Sequence, residues 1–205
     1  MDEKDKLIFM VPPIDFLDTM AWSVAVSATL FAIGSLTLPY DAESCSIKET
    51  AKSLRLTFAV IAGVLGLYMF ISGISIGVLW PFTFSGGIYN VLFGGIATFG
   101  GLILLAGSAT LFLNGNARPL SYLVAIGGLY AVIDAVAMLY HGHTTVPVVS
   151  ALSYLSFAAT AFLSVPATHS KNRLWLRVFA ISAFVLAAIW LFQASSFTWE
   201  HLIPS

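Results

Sequence analysis

The side chains with chemistry to offer are few and far apart. Asp134 is the one acidic residue remote from any polar segment, standing inside the apolar run Leu120 to Tyr140. Six residues separate it from Tyr140, about 9 Å along a helix. At that depth an ionised carboxylate is costly unless it meets water or a partner. No Lys or Arg lies within the apolar runs to pair with it, so the protonated form is the expected response. Asp134 is then either a polar group or proton acceptor lining a passage, or a structural aspartate hydrogen-bonded to a Ser, Thr or Tyr of another helix. His141, His143 and His201, with Glu200 beside the last, form a second group. Four such ligands suit zinc if their loops meet, and imidazoles there would respond to pH near neutrality. As plain interfacial loop residues they would do neither. His169, among loop cations, is expected to be solvated. No P-loop, dinucleotide-binding, Ser-His-Asp or zinc-protease pattern is present, and no histidine sits inside an apolar run where it could hold haem. The expectation is a protein that is not an enzyme and has no cofactor.

The elements that must position these groups are membrane helices. Of 205 residues, 59% are hydrophobic and 9% charged, against roughly 25% charged in a soluble domain. Six apolar runs suit a bilayer span, at about 14–38, 54–79, 88–113, 120–140, 146–165 and 174–192. The expected fold is a single all-α integral membrane domain over 1–205. A net charge of −1 provides no field to recruit nucleic acid. The lone Cys45 has no thiol partner. No cleavable signal pattern precedes the first span, which is expected to be retained. Asp15 and Asp18 fall in its first turns, where carboxylates suit the positive end of a helix dipole; a polar vestibule is the other reading.

The chain is organised around Ile88 to His143, two glycine-rich runs joined by Asn114-Gly115-Asn116-Ala117-Arg118-Pro119. They read as a membrane hairpin holding Asp134. Before it, Ser46-Ile47-Lys48-Glu49 has capping-box spacing, so the second helix should start ahead of the membrane. Gly73 and Gly77 have the small-xxx-small spacing that lets helix backbones approach. The link Trp80 to Gly87 is aromatic and uncharged, suited to the headgroup boundary.

With six spans the termini share one side. The loops on the other side carry Lys48, Lys52, Arg55, Arg118, Lys171, Arg173 and Arg177, while the terminal side has only Lys4 and Lys6. That asymmetry predicts both termini extracytoplasmic, in a multi-pass plasma-membrane protein. The even spans also resemble one another. Arg55 precedes Tyr68 by 13 residues, Arg118 precedes Tyr130 by 12 and Arg177 precedes Trp190 by 13. Three repeated helical hairpins about one axis would set those aromatics at one depth, roughly 18–20 Å from the arginines. Similar patterns also arise by chance in apolar sequence.

The stretch Leu92 to Ile133, with Phe93-Gly94-Gly95, the turn Arg118-Pro119-Leu120 and the sequel Gly128-Leu129-Tyr130, resembles an uncharacterised prokaryotic membrane family, domain of unknown function 981. The resemblance runs from about residue 60 through Trp80-Pro81 to Trp199-Glu200-His201-Leu202. It implies a polytopic fold and no assigned activity. Leu92-Phe93-Gly94 and Arg118-Pro119-Leu120 are also similar to the six-span amide and urea channels. That similarity implies a thrice-repeated hairpin and outward termini. The chain departs from it in lacking a tryptophan-rich run near span five, where Leu152 to Phe162 holds Tyr154 and Phe157 instead.

The function expected is a channel or transporter for a small neutral or weakly acidic solute, with Tyr68, Tyr130, Asp134 and Trp190 along its outer half. The competing expectation is a non-catalytic structural or accessory subunit of a larger membrane complex. A zinc-dependent enzyme using His141, His143 and His201 is the remote third. Expected partners are the bilayer and either further copies of the chain or other membrane subunits.

Overall fold

A computed structural model describes residues 16–37, 45–79, 81, 87–142, 144, 146–170 and 172–202, with backbone alone at 16–17, 45–49 and 200–202. Six helices follow in order: α1 Phe16–Thr37, α2 Cys45–Leu79, α3 Ile88–Phe112, α4 Arg118–His141, α5 Pro147–His169 and α6 Arg173–Leu202. Each contains a segment long and apolar enough to cross a membrane, and no strand occurs among the described residues. The protein is an all-α, multi-pass membrane protein.

The distribution of side-chain size supports that assignment. The buried core is built mainly of alanine, including Ala25, Ala32, Ala131, Ala135, Ala151 and Ala183, with serines and glycines between them. The large apolar side chains Val60, Val64, Ile133, Val148 and Ile181 face outward, each more than half exposed. In water such a surface would aggregate. In lipid it carries no penalty, and helix association depends on close backbone approach through small residues.

The helices form a ring in which each touches its chain neighbours and α6 returns to α1. The tightest pairs are α2–α3, α4–α5 and α1–α6, whereas α1–α2 and α3–α4 meet more loosely. The organising hairpin expected over Ile88–His143 is therefore one of the looser junctions, and its two helices each pack chiefly against a partner outside it.

Glycine explains why α2 and α3 pair so closely. Gly66 lies against Gly101 and Gly73 against Gly94 in antiparallel register, seven residues apart on each helix. A Cβ on Gly101 would lie 2.7 Å from Phe70 Cα and 2.8 Å from the Gly66 carbonyl oxygen, and one on Gly73 would strike the Thr98 backbone nitrogen. Of the expected Gly73–Gly77 pair, only Gly73 needs to be glycine: a Cβ on Gly77 would meet nothing within 4 Å, although its backbone nitrogen lies 3.3 Å from where a Cβ on Gly94 would stand. Spacing of seven, not four, keeps glycine at successive antiparallel crossing points.

The turn between α3 and α4 has a local cause. Asn114 adopts φ 54°, Asn114 N–H donates to the Leu111 carbonyl at 3.3 Å and Gly115 N–H to that of Thr110 at 2.7 Å. This is the Schellman geometry that closes a helix on a left-handed residue. The Arg55 guanidinium also donates to the Asn114 side-chain oxygen, tying the start of α2 to this turn.

Two expected boundaries shift. Span five does not stop at Val165, because α5 runs through Pro166 to His169 and the Ser170 N–H caps the Pro166 carbonyl at 3.0 Å. One proline near a helix end removes a single hydrogen bond, which a paired helix tolerates. His169 is consequently half-buried rather than solvated, with its ring 5.0 Å from that of Tyr122. Span six does not stop at Phe192, since α6 stays helical to Leu202. Its extension packs on α1, where the Thr198 hydroxyl lies 2.7 Å from Asp18 Oδ1 and accepts from Trp22 Nε1 at 3.1 Å. Asp18 thus occupies the first turn of α1 and also bonds across to α6. Asp15 and Cys45 are named above on sequence grounds; Asp15 and the Cys45 side chain lie outside the described residues.

Candidate functional site

Asp134 lies on α4 seven residues before its end, about 10 Å along the axis. It is 6% exposed and its Oδ2 has no hydrogen-bond partner among the described residues. Buried polar atoms are nearly always satisfied, so an orphaned carboxylate oxygen marks a place where something else can bind or a proton can sit. Tyr130 and Tyr154 are the aromatic hydroxyls within electrostatic reach of it.

Tyr154 is the centre of an aromatic layer. It is 1% exposed, and its hydroxyl donates to the Leu92 carbonyl oxygen at 3.1 Å. Phe93 meets it edge-on at 6.5 Å between ring centres, Trp190 lies 6.0 Å away, and Tyr89 stacks on Phe93 at 5.9 Å. Trp190 Nε1 donates to the Ser153 carbonyl oxygen at 3.3 Å, which fixes the indole in the core. With Met138 and Ala135 these rings belong to a packed core shared by α1, α3, α4, α5 and α6.

The four residues expected to share one passage are placed differently. Asp134 and Trp190 are buried, Trp190 with its ring 6.0 Å from that of Tyr154. Tyr130 is half-buried with its hydroxyl against Gly95 of α3. Tyr68 stands apart at the α1–α2 seam, 37% exposed, and its hydroxyl donates to the Thr19 hydroxyl.

The opposite half of the bundle is open inside. A cavity of about 270 Å³ is lined by all six helices and begins at the end that carries Arg55, the α3–α4 turn and the start of α6. Along α4 its lining runs from Ala117 to Val124, so Asp134 lies ten residues beyond it, about 15 Å deeper. Ala28, Phe157 and Leu186 belong both to the cavity wall and to the packed layer beyond it. The cavity thus adjoins the packed layer. Phe58 closes one flank, its ring 3.7 Å from where a Cβ on Gly34 would stand. None of Tyr68, Tyr130, Asp134 and Trp190 lines it.

His141 ends α4, exposed, with its ring edge-on to Tyr140 at 4.8 Å. Among the described residues no three His, Cys, Asp or Glu side chains converge as metal ligands. His143 and the side chains of Glu200 and His201 lie outside those residues.

Residues 10–203 match the family described as Protein of unknown function (DUF981). The chain belongs to this family. The DUF981 match extends well before residue 60, where the sequence resemblance began, and takes in α1 together with the whole ring. No curated protein and no solved structure matches the chain. The similarity to amide and urea channels therefore rests on the short motifs alone.

Sequence reasoning found Asp134 and missed both Tyr154 and the cavity. A signal for the cavity was present. Ser153, Ser156, Thr160, Ser164 and Thr168 recur at three- and four-residue steps along α5, and Thr19, Ser23 and Ser27 do so on α1. Hydroxyls at that period make a polar stripe on an otherwise apolar helix.

Proposed function

We propose that this DUF981 protein is a conduit or carrier for a small neutral or weakly acidic solute across the plasma membrane, with both termini extracytoplasmic. The observation that supports this reading best is the cavity inside the ring, adjoining the Tyr154 layer, with the orphaned Asp134 carboxylate further along α4. Under the proposed orientation the cavity opens to the cytoplasm. The arrangement corresponds to one closed state of an alternating or gated path, in which the layer of Phe93, Tyr154 and Trp190 must part for solute to reach Asp134. No catalytic role is assigned to any residue.

Stopped-flow uptake of acetamide, glycerol and lactate into proteoliposomes tests the proposal. Flux above empty liposomes, reduced in Asp134→Ala, is the expected result. Background flux for wild type and variant alike would remove it. In that case the accessory-subunit reading gains ground, favoured by the open groove on α2 and α3 that exposes Gly77 and Gly95 between Ile74, Val78 and Leu102, a surface suited to a neighbouring helix.

A further inference from the structure

The cavity has a hydrogen-bonding polarity that identifies its ligand more narrowly. Its wall is apolar apart from hydroxyls, and no charged side chain among the described residues lines it. The hydroxyls of Ser27, Thr110, Ser121, Thr160, Ser164 and Thr168 each donate to a carbonyl of their own helix, and three have a further partner: Thr160 pairs with the Ser182 hydroxyl of α6 at 2.7 Å, Ser164 reaches the Ser121 carbonyl of α4 at 3.3 Å and Thr168 lies 3.1 Å from His169 Nδ1. The acceptors are Ser23 at 2.7 Å, Ala106 at 2.8 Å, Arg118 at 2.8 Å, Ser156 at 2.9 Å, Ala161 at 2.6 Å and Ser164 at 3.0 Å. Ser35, at the mouth, donates likewise to Phe31 at 2.6 Å. A hydroxyl has one proton and two lone pairs. With the protons engaged by carbonyls, what these oxygens present to the cavity is acceptor capacity, except at Thr160, whose oxygen is already paired with Ser182.

The consequences are chemical. An anion would find neither a donor nor a positive charge and would lose its hydration for nothing. A hydrophobe without a donor would fill the space but leave the lone pairs unused. A neutral molecule with an O–H or N–H would satisfy both the apolar wall and one of the oxygens. Size narrows the class again. A cavity of about 270 Å³ approaches twice the roughly 150 Å³ apolar cavity that accepts benzene, which suits a bicyclic ring or a medium-length chain.

We propose that the inner cavity is a binding site for a small, uncharged, largely apolar molecule bearing one hydrogen-bond donor, an alcohol, a phenol or a protonated weak acid. This deepens the conduit reading by naming the solute class, and it rests on that reading only for transport, since binding stands without it.

Four probes of nearly equal size separate the contributions: 2-naphthol, naphthalene, 2-methoxynaphthalene and 2-naphthoate. Equilibrium dialysis against the full chain in nanodiscs, with empty nanodiscs subtracted, measures binding without requiring flux. One saturable site per chain is expected for 2-naphthol. Naphthalene and 2-methoxynaphthalene should bind about 3- to 10-fold more weakly, the effect of one net hydrogen bond, and 2-naphthoate should not bind measurably. Gly107→Leu, which directs a side chain into the cavity, should abolish the site. Ser27→Ala and Ser164→Ala should together bring 2-naphthol toward naphthalene while leaving naphthalene unchanged, a readout that general misfolding would not give. Binding of 2-naphthoate as tight as 2-naphthol, or no saturable binding of any probe, would overturn the proposal. Saturable 2-naphthol binding with background flux would leave the site intact and remove only the conduit.

Discussion

The contact between α2 and α3 offers the sharpest quantitative test of the packing. Replacing Gly101 by Ala has two opposing effects. Alanine favours the helix over glycine by about 1 kcal/mol. Its methyl, however, would sit 2.7 Å from Phe70 Cα and 2.8 Å from the Gly66 carbonyl oxygen. Those are backbone atoms, so no rotamer change relieves the clash and the two helices must separate. Overpacking of this kind costs about 1–3 kcal/mol. Gly77→Ala brings the same propensity gain with no contact inside 4 Å. Subtracting one variant from the other cancels the propensity and isolates the crossing. The predicted difference is about 1–3 kcal/mol, with Gly101→Ala the less stable. For a chain of this size that corresponds to about 2–12 °C in midpoint. Circular-dichroism melts in one detergent at matched concentration provide the measurement. Equal midpoints for the two variants, or a lower one for Gly77→Ala, would refute the assignment of Gly101 to a backbone crossing.

Further outcomes follow from single contacts. Tyr154→Phe removes the hydroxyl that donates to the Leu92 carbonyl and should lower stability by about 1 kcal/mol, detectable in the same melts; an unchanged midpoint would count against the bond. Asn114→Val forces a β-branched residue into a left-handed conformation at φ 54° and should cost about 1–3 kcal/mol, whereas Asn114→Gly should be milder, losing mainly the Arg55 bond. Thr198→Val removes the hydroxyl that joins Asp18 and Trp22 across α1 and α6, and hydrogen exchange in the first turns of α1 should speed up while α2 and α3 stay as protected as before. Asp134→Asn keeps the shape and removes the charge; if the carboxylate handles a proton, lactate uptake should fall while glycerol uptake is retained, and equal loss of both would assign Asp134 to packing.

Membrane insertion and the number of helices were legible because both depend on local composition. A run such as Leu54 to Leu79 must be satisfied within its own backbone wherever it sits in lipid, and that requirement needs no knowledge of neighbours. The turn at Asn114-Gly115 was equally local. Helix ends were legible only in part. Pro166 looked like a stop because proline removes a backbone donor, but packing of α5 beside α4 and α6 holds the helix to His169. The end of α6 likewise depends on Asp18 and Trp22, some 180 residues away in the chain.

What the sequence by itself determined is that Asp134 is a carboxylate within an apolar helix, that seven of the nine cations fall in the loops on one side of the six spans, and that glycine is abundant in α2 and α3. Only the tertiary structure decided which glycines meet, because Gly66 with Gly101 and Gly73 with Gly94 depend on the register of two antiparallel helices. It also decided that α2–α3, α4–α5 and α1–α6 are the close pairs, since helices hydrophobic on every side carry no stripe that points to a neighbour. The cavity is of the same kind. Each hydroxyl on its wall is an ordinary helical serine or threonine bonded to its own backbone. The space between them exists only once six helices pack around it.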